Sequence, residues 1–200
     1  MRIWVTGHRG MLGSAVVRQL DKFKHNLLLT DRSQVDLMNT GDVRYFFEHE
    51  APDYVFHIAA KVGGIGSNAA LPADFLYENT VIQNNVLHLA KENRVKKLIF
   101  VASNCTYPKN SVNPISEDKL FSGPLEENVH AYAVSKLAGI EMCNSYRKQY
   151  GCNFVSVIPP NLYGLGDNFS PDKSHIVAAL MYKAHRAKRS STPLLPTWGL

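Results

Sequence analysis

Thr6-Gly7-His8-Arg9-Gly10-Met11-Leu12-Gly13 is a G-x-x-G-x-x-G that follows a short β-rich run, residues 2–6, and opens a helix-length segment. Gly7 stands where the chain must turn sharply at the strand end, a conformation open to glycine at no steric cost. Gly10 lets the backbone approach a pyrophosphate, and Gly13 permits close packing of the new helix on the strand. The helix N-terminus adds N–H groups and the positive end of a dipole. A glycine triplet alone is a common turn; the strand before it and the helix after it are what read as a dinucleotide site. Gly7, Arg9, Gly10, Met11, Leu12 and Gly13 are its candidate cofactor-binding residues.

Working outward, β-rich runs at 2–6, 26–30, 54–58, 97–102 and 153–158 alternate with helix-length stretches at 11–23, 40–50, 72–93 and 129–150. This alternation predicts an α/β fold, a doubly wound parallel sheet of Rossmann type with right-handed crossovers. Residues 103–128, with Pro108, Pro114, Gly123 and Pro124, make a connection long enough to have a task of its own. After Ile158 the composition shifts to Pro159, Pro160, Gly164, Gly166 and Pro171. A boundary is therefore expected near residue 165, with 1–165 as the dinucleotide-binding domain and 166–200 as the start of an incomplete substrate-binding lobe.

The 45% hydrophobic and 20% charged content of these 200 residues suits a globular chain with one core. No run approaches the ~18 apolar residues of a membrane span and no signal-peptide region opens the chain, which predicts a cytoplasmic protein. Cys105, Cys143 and Cys152 form neither an even disulfide set nor a C-x-x-C metal spacing. Cys143 and Cys152 are read as small buried hydrophobes. Twenty-two basic against 17 acidic residues give +5, which suits an anionic partner. The basic run at 183–189 reads as a solvated helix face or tail, with no nucleic-acid motif around it.

The expected second strand ends in Thr30-Asp31-Arg32, which would bring Arg32 beside Arg9 near the adenosine ribose. A cationic pair there suits a 2′-phosphate, hence NADP(H); Asp31 could instead accept from a free ribose 2′-hydroxyl, as NAD would require. Tyr132-Ala133-Val134-Ser135-Lys136 is a Y-x-x-x-K on an expected helix, whose spacing puts both heads on one face. The ammonium of Lys136 is expected to bring the Tyr132 phenol below its usual pKa of ~10. Ser103 follows an expected strand at the carboxyl edge of the sheet, where ligands of open α/β folds bind.

This order of parts resembles the extended short-chain dehydrogenase/reductases, with Ser103, Tyr132 and Lys136 as their triad. The longer stretches Ser103-Asn104-Cys105-Thr106-Tyr107-Pro108, Asn161-Leu162-Tyr163-Gly164-Leu165-Gly166-Asp167-Asn168-Phe169 and Ser174-His175 are similar to the GDP-L-fucose synthase family. So are residues 60–65 and 72–75. The resemblance implies an NADP(H)-dependent epimerase–reductase that takes GDP-4-keto-6-deoxymannose, inverts carbons 3 and 5 and reduces the carbon-4 ketone. It implies that Cys105 and His175 are the base and acid of epimerisation, and that Ser103 and Tyr132 steady the enolate oxygen. It further implies adenine-side and cofactor-backbone contacts at Asp36, Leu37, Ala59, Ala60 and Lys61, and nucleotide-sugar contacts at Asn161 and Lys183.

Two departures stand out: Asn104 where a second serine or threonine is usual, and Lys183 where an arginine is common. Family members also continue past a Trp-Gly matching Trp198-Gly199 into the rest of the substrate lobe, so part of the nucleotide site and its covering surface is expected to be missing. The resemblance implies a homodimer through the helices at 72–93 and 129–150. Two rival readings remain open: an NAD-dependent nucleotide-sugar 4-epimerase or dehydratase, and a catalytically inactive cofactor-binding remnant.

Overall fold

Parallel pairing runs through the whole sheet: β1 (Arg2–Thr6), β2 (Asn26–Leu28), β3 (Tyr54–His57), β4 (Lys97–Val101) and β5 (Phe154–Val157) lie in the order β2-β1-β3-β4-β5. The computed structural model describes residues 1–170 and 174–190; Pro171 and Trp198-Gly199 lie outside them. From β1 the chain steps outward to β2, then returns past β1 to β3. The crossovers therefore reverse direction between β1 and β3, and that reversal opens a crevice at the carboxyl ends of the two strands.

The helices are α1 (Met11–Leu20), α2 (Thr40–Glu50), α3 (Ile65–Ala70), α4 (Pro72–Glu92), α5 (His130–Tyr150) and α6 (Ile176–Arg189). Right-handed crossovers put α1 on one face of the sheet and the row α2, α4, α5 on the other. Local chemistry sets their ends. Asn39 caps α2 by accepting from the Gly41 and Asp42 amides, Pro72 starts α4 where its missing N–H costs nothing, and Gly151 ends α5 in the left-handed region. Between the sheet and the three-helix row lies the core, built on Trp4, Phe47, Leu87, Leu98, Phe100 and Phe154. The polar tip of the buried Trp4 is satisfied, because its indole N–H donates to Thr30 Oγ1 at 3.1 Å.

The expected strands and long helices are all present, with differences at their ends. Pairing of β2 stops at Leu28 opposite Trp4, while Val5 and Thr6 continue in register with β3; beyond it Thr30, Asp31 and Arg32 leave the sheet and line the crevice. Helix α1 stops at Leu20, and Asp21–Phe23 tighten into a 3₁₀ turn. Helix α3 was not among the expected elements; Gly66 within it carries the usual cost of a glycine inside a helix. It forms where the buried Asn68 amide donates back to the Gly63 and Gly64 carbonyls. Helix α6 was also not predicted as an element; the basic run lies within it, largely on exposed positions. No helix among the described residues is long and apolar enough to cross a membrane.

Candidate functional site

The glycine turn is the tightest place in the fold. Gly7 has φ +71°, and a Cβ on it would sit 2.9 Å from the Ala59 nitrogen; one on Gly13 would sit 2.1 Å from the Gly7 carbonyl oxygen. Strand end, turn, helix start and the end of β3 thus meet backbone to backbone. Thr6 and His57 lock this junction. Thr6 Oγ1 accepts from the Ile58 and Ala59 amides at 3.1 Å each, which uses both its lone pairs, so its hydroxyl donates to His57 Nδ1 at 3.0 Å. The neutral imidazole therefore carries its proton on Nε2, which is buried without a partner.

Burial, and secondarily the charge of Lys136, pushes His57 down to about 3. The unfolded chain binds a proton here below ~6.5 while the folded chain does not, so stability is full above that pH and is lost as pH falls toward 3, at about 1.4 kcal/mol per unit. We expect denaturant unfolding at pH 5 to show a loss of about 2 kcal/mol relative to pH 7 from this group. The His57 ring should show no titration by NMR between pH 8 and 5. Titration near the ordinary value of ~6.5 would contradict the assignment.

A cleft of about 480 Å³ opens at the switch point. Its walls include Gly7, Arg9, Gly10, Arg32, Asp36, Leu37, Ala59, Ala60 and Lys61, so most of the expected cofactor contacts share one cavity. Met11, Leu12 and Gly13 are not among its walls; they form the first turn of α1, directly after Gly10. Helix α1 has no acidic residue in that turn and no side chain capping it, and the exposed Gly10 keeps the approach to it free of a side chain. These features fit a dinucleotide phosphate. Arg9 and Arg32 reach the same cavity, each held by a carboxylate: Arg9 to Asp31 at 2.9 Å and Arg32 to Asp36 at 3.5 Å.

The Lys61 ammonium is bonded to Glu78 and lies 3.5 Å from Asp74 on α4. Its backbone is bracketed by a residue that sequence reasoning missed. Buried Asn79 accepts from the Lys61 amide at 2.8 Å and donates to the Lys61 carbonyl at 3.0 Å. A buried asparagine in the middle of a helix was the signal available, because such a group must satisfy its amide away from water.

At the end of β4, Ser103 caps a short 3₁₀ turn, Asn104–Thr106, which carries Cys105 back toward it. The Cys105 thiol donates to Ser103 Oγ at 3.2 Å. Facing them from α5 are Tyr132, whose ring meets the edge of buried Phe75 at 6.3 Å and 89°, and Lys136. Lys136 is 3% exposed and donates to the Val101 carbonyl at 3.0 Å. The expectation for the phenol is corrected here. Burial, then the Cys105 charge, raises Tyr132 above its ordinary value, with the facing Ser103 hydroxyl acting more weakly in the other direction. The Lys136 nitrogen lies 5.8 Å from the phenol ring centre and makes its described hydrogen bond to the Val101 carbonyl rather than to the phenol, and burial prevails. Burial also brings Lys136 itself down to about 8.

The remaining expected residues are more scattered. Asn161 is joined to this edge, its side-chain oxygen accepting from the Asn104 amide at 3.3 Å. His175 is the exposed residue preceding α6, and no described hydrogen bond or ion pair links it to the cluster. Lys183 is half-buried midway along α6. Cys143 lies in the core and Cys152 packs against it, as expected of small hydrophobes.

A parallel sheet with its switch point at a glycine turn, and a serine, tyrosine and lysine at the adjoining strand end, defines a dinucleotide-binding protein of the Rossmann class. The chain belongs to the NAD dependent epimerase/dehydratase family, which residues 3–199 match. It is 46% identical over 198 residues to GDP-L-fucose synthase of Sinorhizobium fredii, covering 99% of this chain and 63% of that protein. It is 44% identical over 199 residues to GDP-L-fucose synthase of Escherichia coli, covering 99% and 62%. Among solved structures, GDP-mannoheptose C4 reductase from Campylobacter jejuni with NADP bound superposes with a TM-score of 0.87 at 45% identity, covering 94% of this chain and 56% of that one. The chain thus spans less than two thirds of the length of these relatives.

Proposed function

We propose that this chain carries the NADP(H) site and reductive centre of an epimerase–reductase that converts GDP-4-keto-6-deoxymannose to GDP-L-fucose. One observation carries the reading: a thiol 3.2 Å from Ser103 Oγ, beside the phenol of Tyr132. A ketone acidifies the hydrogens on its neighbouring carbons, so inversion at carbons 3 and 5 needs a base, an acid on the opposite face and a donor to the ketone oxygen. Cys105 and His175 take the first two roles, and Ser103 and Tyr132 hold the oxygen. Burial raises the Cys105 thiol, against the weaker pull of Ser103 and Lys136, so the thiolate once formed is a strong base.

Bound NADPH supplies the hydride for carbon 4. Tyr132, whose burial favours the protonated phenol, gives the oxygen its proton, and Lys136 anchors the nicotinamide ribose. Arg9 and Arg32 take the 2′-phosphate, while Asn161 and Lys183 contact the sugar nucleotide in a lobe that begins near residue 166. The names of the relatives and the NADP in the C. jejuni structure support this reading. A cytoplasmic location and a homodimer through α4 and α5 belong to it.

A second reading is a GDP-sugar C4 reductase that leaves carbons 3 and 5 alone. It is favoured by His175, which is exposed and, among the described residues, has no hydrogen bond or ion pair to the Ser103–Tyr132 cluster. Incubation with GDP-4-keto-6-deoxymannose and NADPH in D₂O separates the two. The first expects NADPH oxidation with deuterium at carbons 3 and 5, and Cys105→Ser should keep reduction while cutting deuterium incorporation by about 10²-fold. Reduction without deuterium selects the second reading, turnover with NAD alone selects a 4-epimerase, and nucleotide binding with no product selects an inactive remnant.

A further inference from the structure

Ser103 stands in a run of hydrogen bonds whose direction follows from its own valence, since a hydroxyl has one proton and two lone pairs. Ser103 Oγ accepts from the Cys105 thiol at 3.2 Å and from the Cys105 amide at 3.5 Å, which takes both lone pairs. Its proton therefore points away from the sulfur, and Asn104 Oδ1 accepts it at 3.5 Å. The other end of the same carboxamide, Asn104 Nδ2, donates to Asn161 Oδ1 at 3.3 Å. Proton donation thus runs one way, from Cys105 through Ser103 and Asn104 to Asn161. A carboxamide suits the middle position because its acceptor and its donors sit on different atoms. Both bonds of Asn104 are long and both asparagines are exposed, so an arriving ligand can displace them.

We propose that Asn104 is a positioning residue that holds the Ser103 proton away from the Cys105 sulfur until a sugar hydroxyl engages Asn161. A hydroxyl donating to Asn161 Oδ1 competes with Asn104 Nδ2, and with that anchor gone Asn104 no longer keeps the Ser103 proton. The proton then follows the negative charge: toward the sulfur before it abstracts a hydrogen, and toward the ketone oxygen afterwards. This rests on the roles proposed above for Cys105, Ser103 and Asn161, and it adds a residue through which the sugar contact reaches the base.

The test reads the Cys105 thiol itself and needs neither substrate nor cofactor. Tyr132 and Lys136 face the thiol from α5 and are the same in every variant. The titration midpoint of Cys105 is followed in the 200-residue chain by NMR of isotope-labelled cysteine, with site-resolved iodoacetamide alkylation rates as a second measure. A hydroxyl that donates to sulfur favours the thiolate, and one that accepts from it favours the thiol. Asn104→Ala frees the Ser103 proton, so the midpoint should fall by about half a pH unit, or about threefold more thiolate at a pH below it. Asn161→Ala cuts the run at its far end; it should move the midpoint the same way by less, and it covers a failure of the first variant to fold. In a Ser103→Ala background, Asn104→Ala should move nothing, because its effect passes through the Ser103 proton. An unchanged or raised midpoint in Asn104→Ala, or the same fall with the Ser103 hydroxyl absent, overturns the inference and leaves the epimerase–reductase reading standing. Loss of that reading, through reduction without deuterium at carbons 3 and 5, leaves the thiol titration to decide by itself whether Asn104 directs Ser103.

Discussion

Tyr132→Phe is expected to lower kcat for ketone reduction by about 10³-fold and to leave the Kd for NADPH unchanged. The ring is held edge-on by Phe75, and the phenylalanine ring keeps that contact, so packing alone predicts little effect. What disappears is the proton. Burial holds the phenol above its ordinary pKa, and on the proposed mechanism it is the donor to the oxygen that receives charge at carbon 4. Ser103 remains as a hydrogen-bond donor and accounts for the residual rate. The alkaline limb of the kcat/KM profile, which reports the free enzyme, then follows Lys136, brought down to about 8 by burial, rather than the phenol. Stopped-flow NADPH oxidation with parallel nucleotide titration checks both halves; a variant reducing substrate at near the parental rate removes Tyr132 from the chemistry.

The sheet was readable because its signals are local. Each strand is a short apolar run, each crossover is a helix-length stretch, and Gly7, Gly10 and Gly13 locate the turn between the first pair. Positions that depend on tertiary context were not readable. Helix α3 forms despite Gly66 where Asn68 and the neighbouring carbonyls satisfy one another, and β2 leaves the sheet after Leu28, two residues before the expected end, as the chain turns into the crevice.

The candidate site divides in the same way. Y-x-x-x-K spacing and a strand-end serine are local patterns, and the structure brings Ser103, Cys105, Tyr132 and Lys136 to one edge. The sign of the Tyr132 shift was not legible, since it depends on how deeply the phenol is buried in the fold. Asn79 was missed because its partners, the amide and carbonyl of Lys61, are 18 residues away in the chain.

Gly13→Ala is expected to destabilise the fold by about 3 kcal/mol and to reduce NADPH affinity by at least about 100-fold. The added methyl would stand 2.1 Å from the Gly7 carbonyl oxygen, 2.7 Å from the Gly7 carbonyl carbon and 2.8 Å from the His8 Cα. All three are backbone atoms, so no change of rotamer relieves the overlap; either α1 slides off β1 or the turn opens. Both responses move the amides that face the phosphate. Against a total stability of about 5–15 kcal/mol, the loss shows clearly as a lower urea midpoint. Gly10→Ala is the discriminating companion. There the methyl would meet only the Gly7 oxygen, at 3.4 Å, and φ is −72°, so the fold should tolerate it to within about 0.5 kcal/mol. With the dinucleotide bound as proposed, the methyl would stand where the pyrophosphate approaches α1, so affinity should fall without stability. If Gly13→Ala unfolds at the parental midpoint, the close approach of helix and turn is not what holds this end of the sheet together. If Gly10→Ala binds NADPH as tightly as the parent, the phosphate does not lie at this turn.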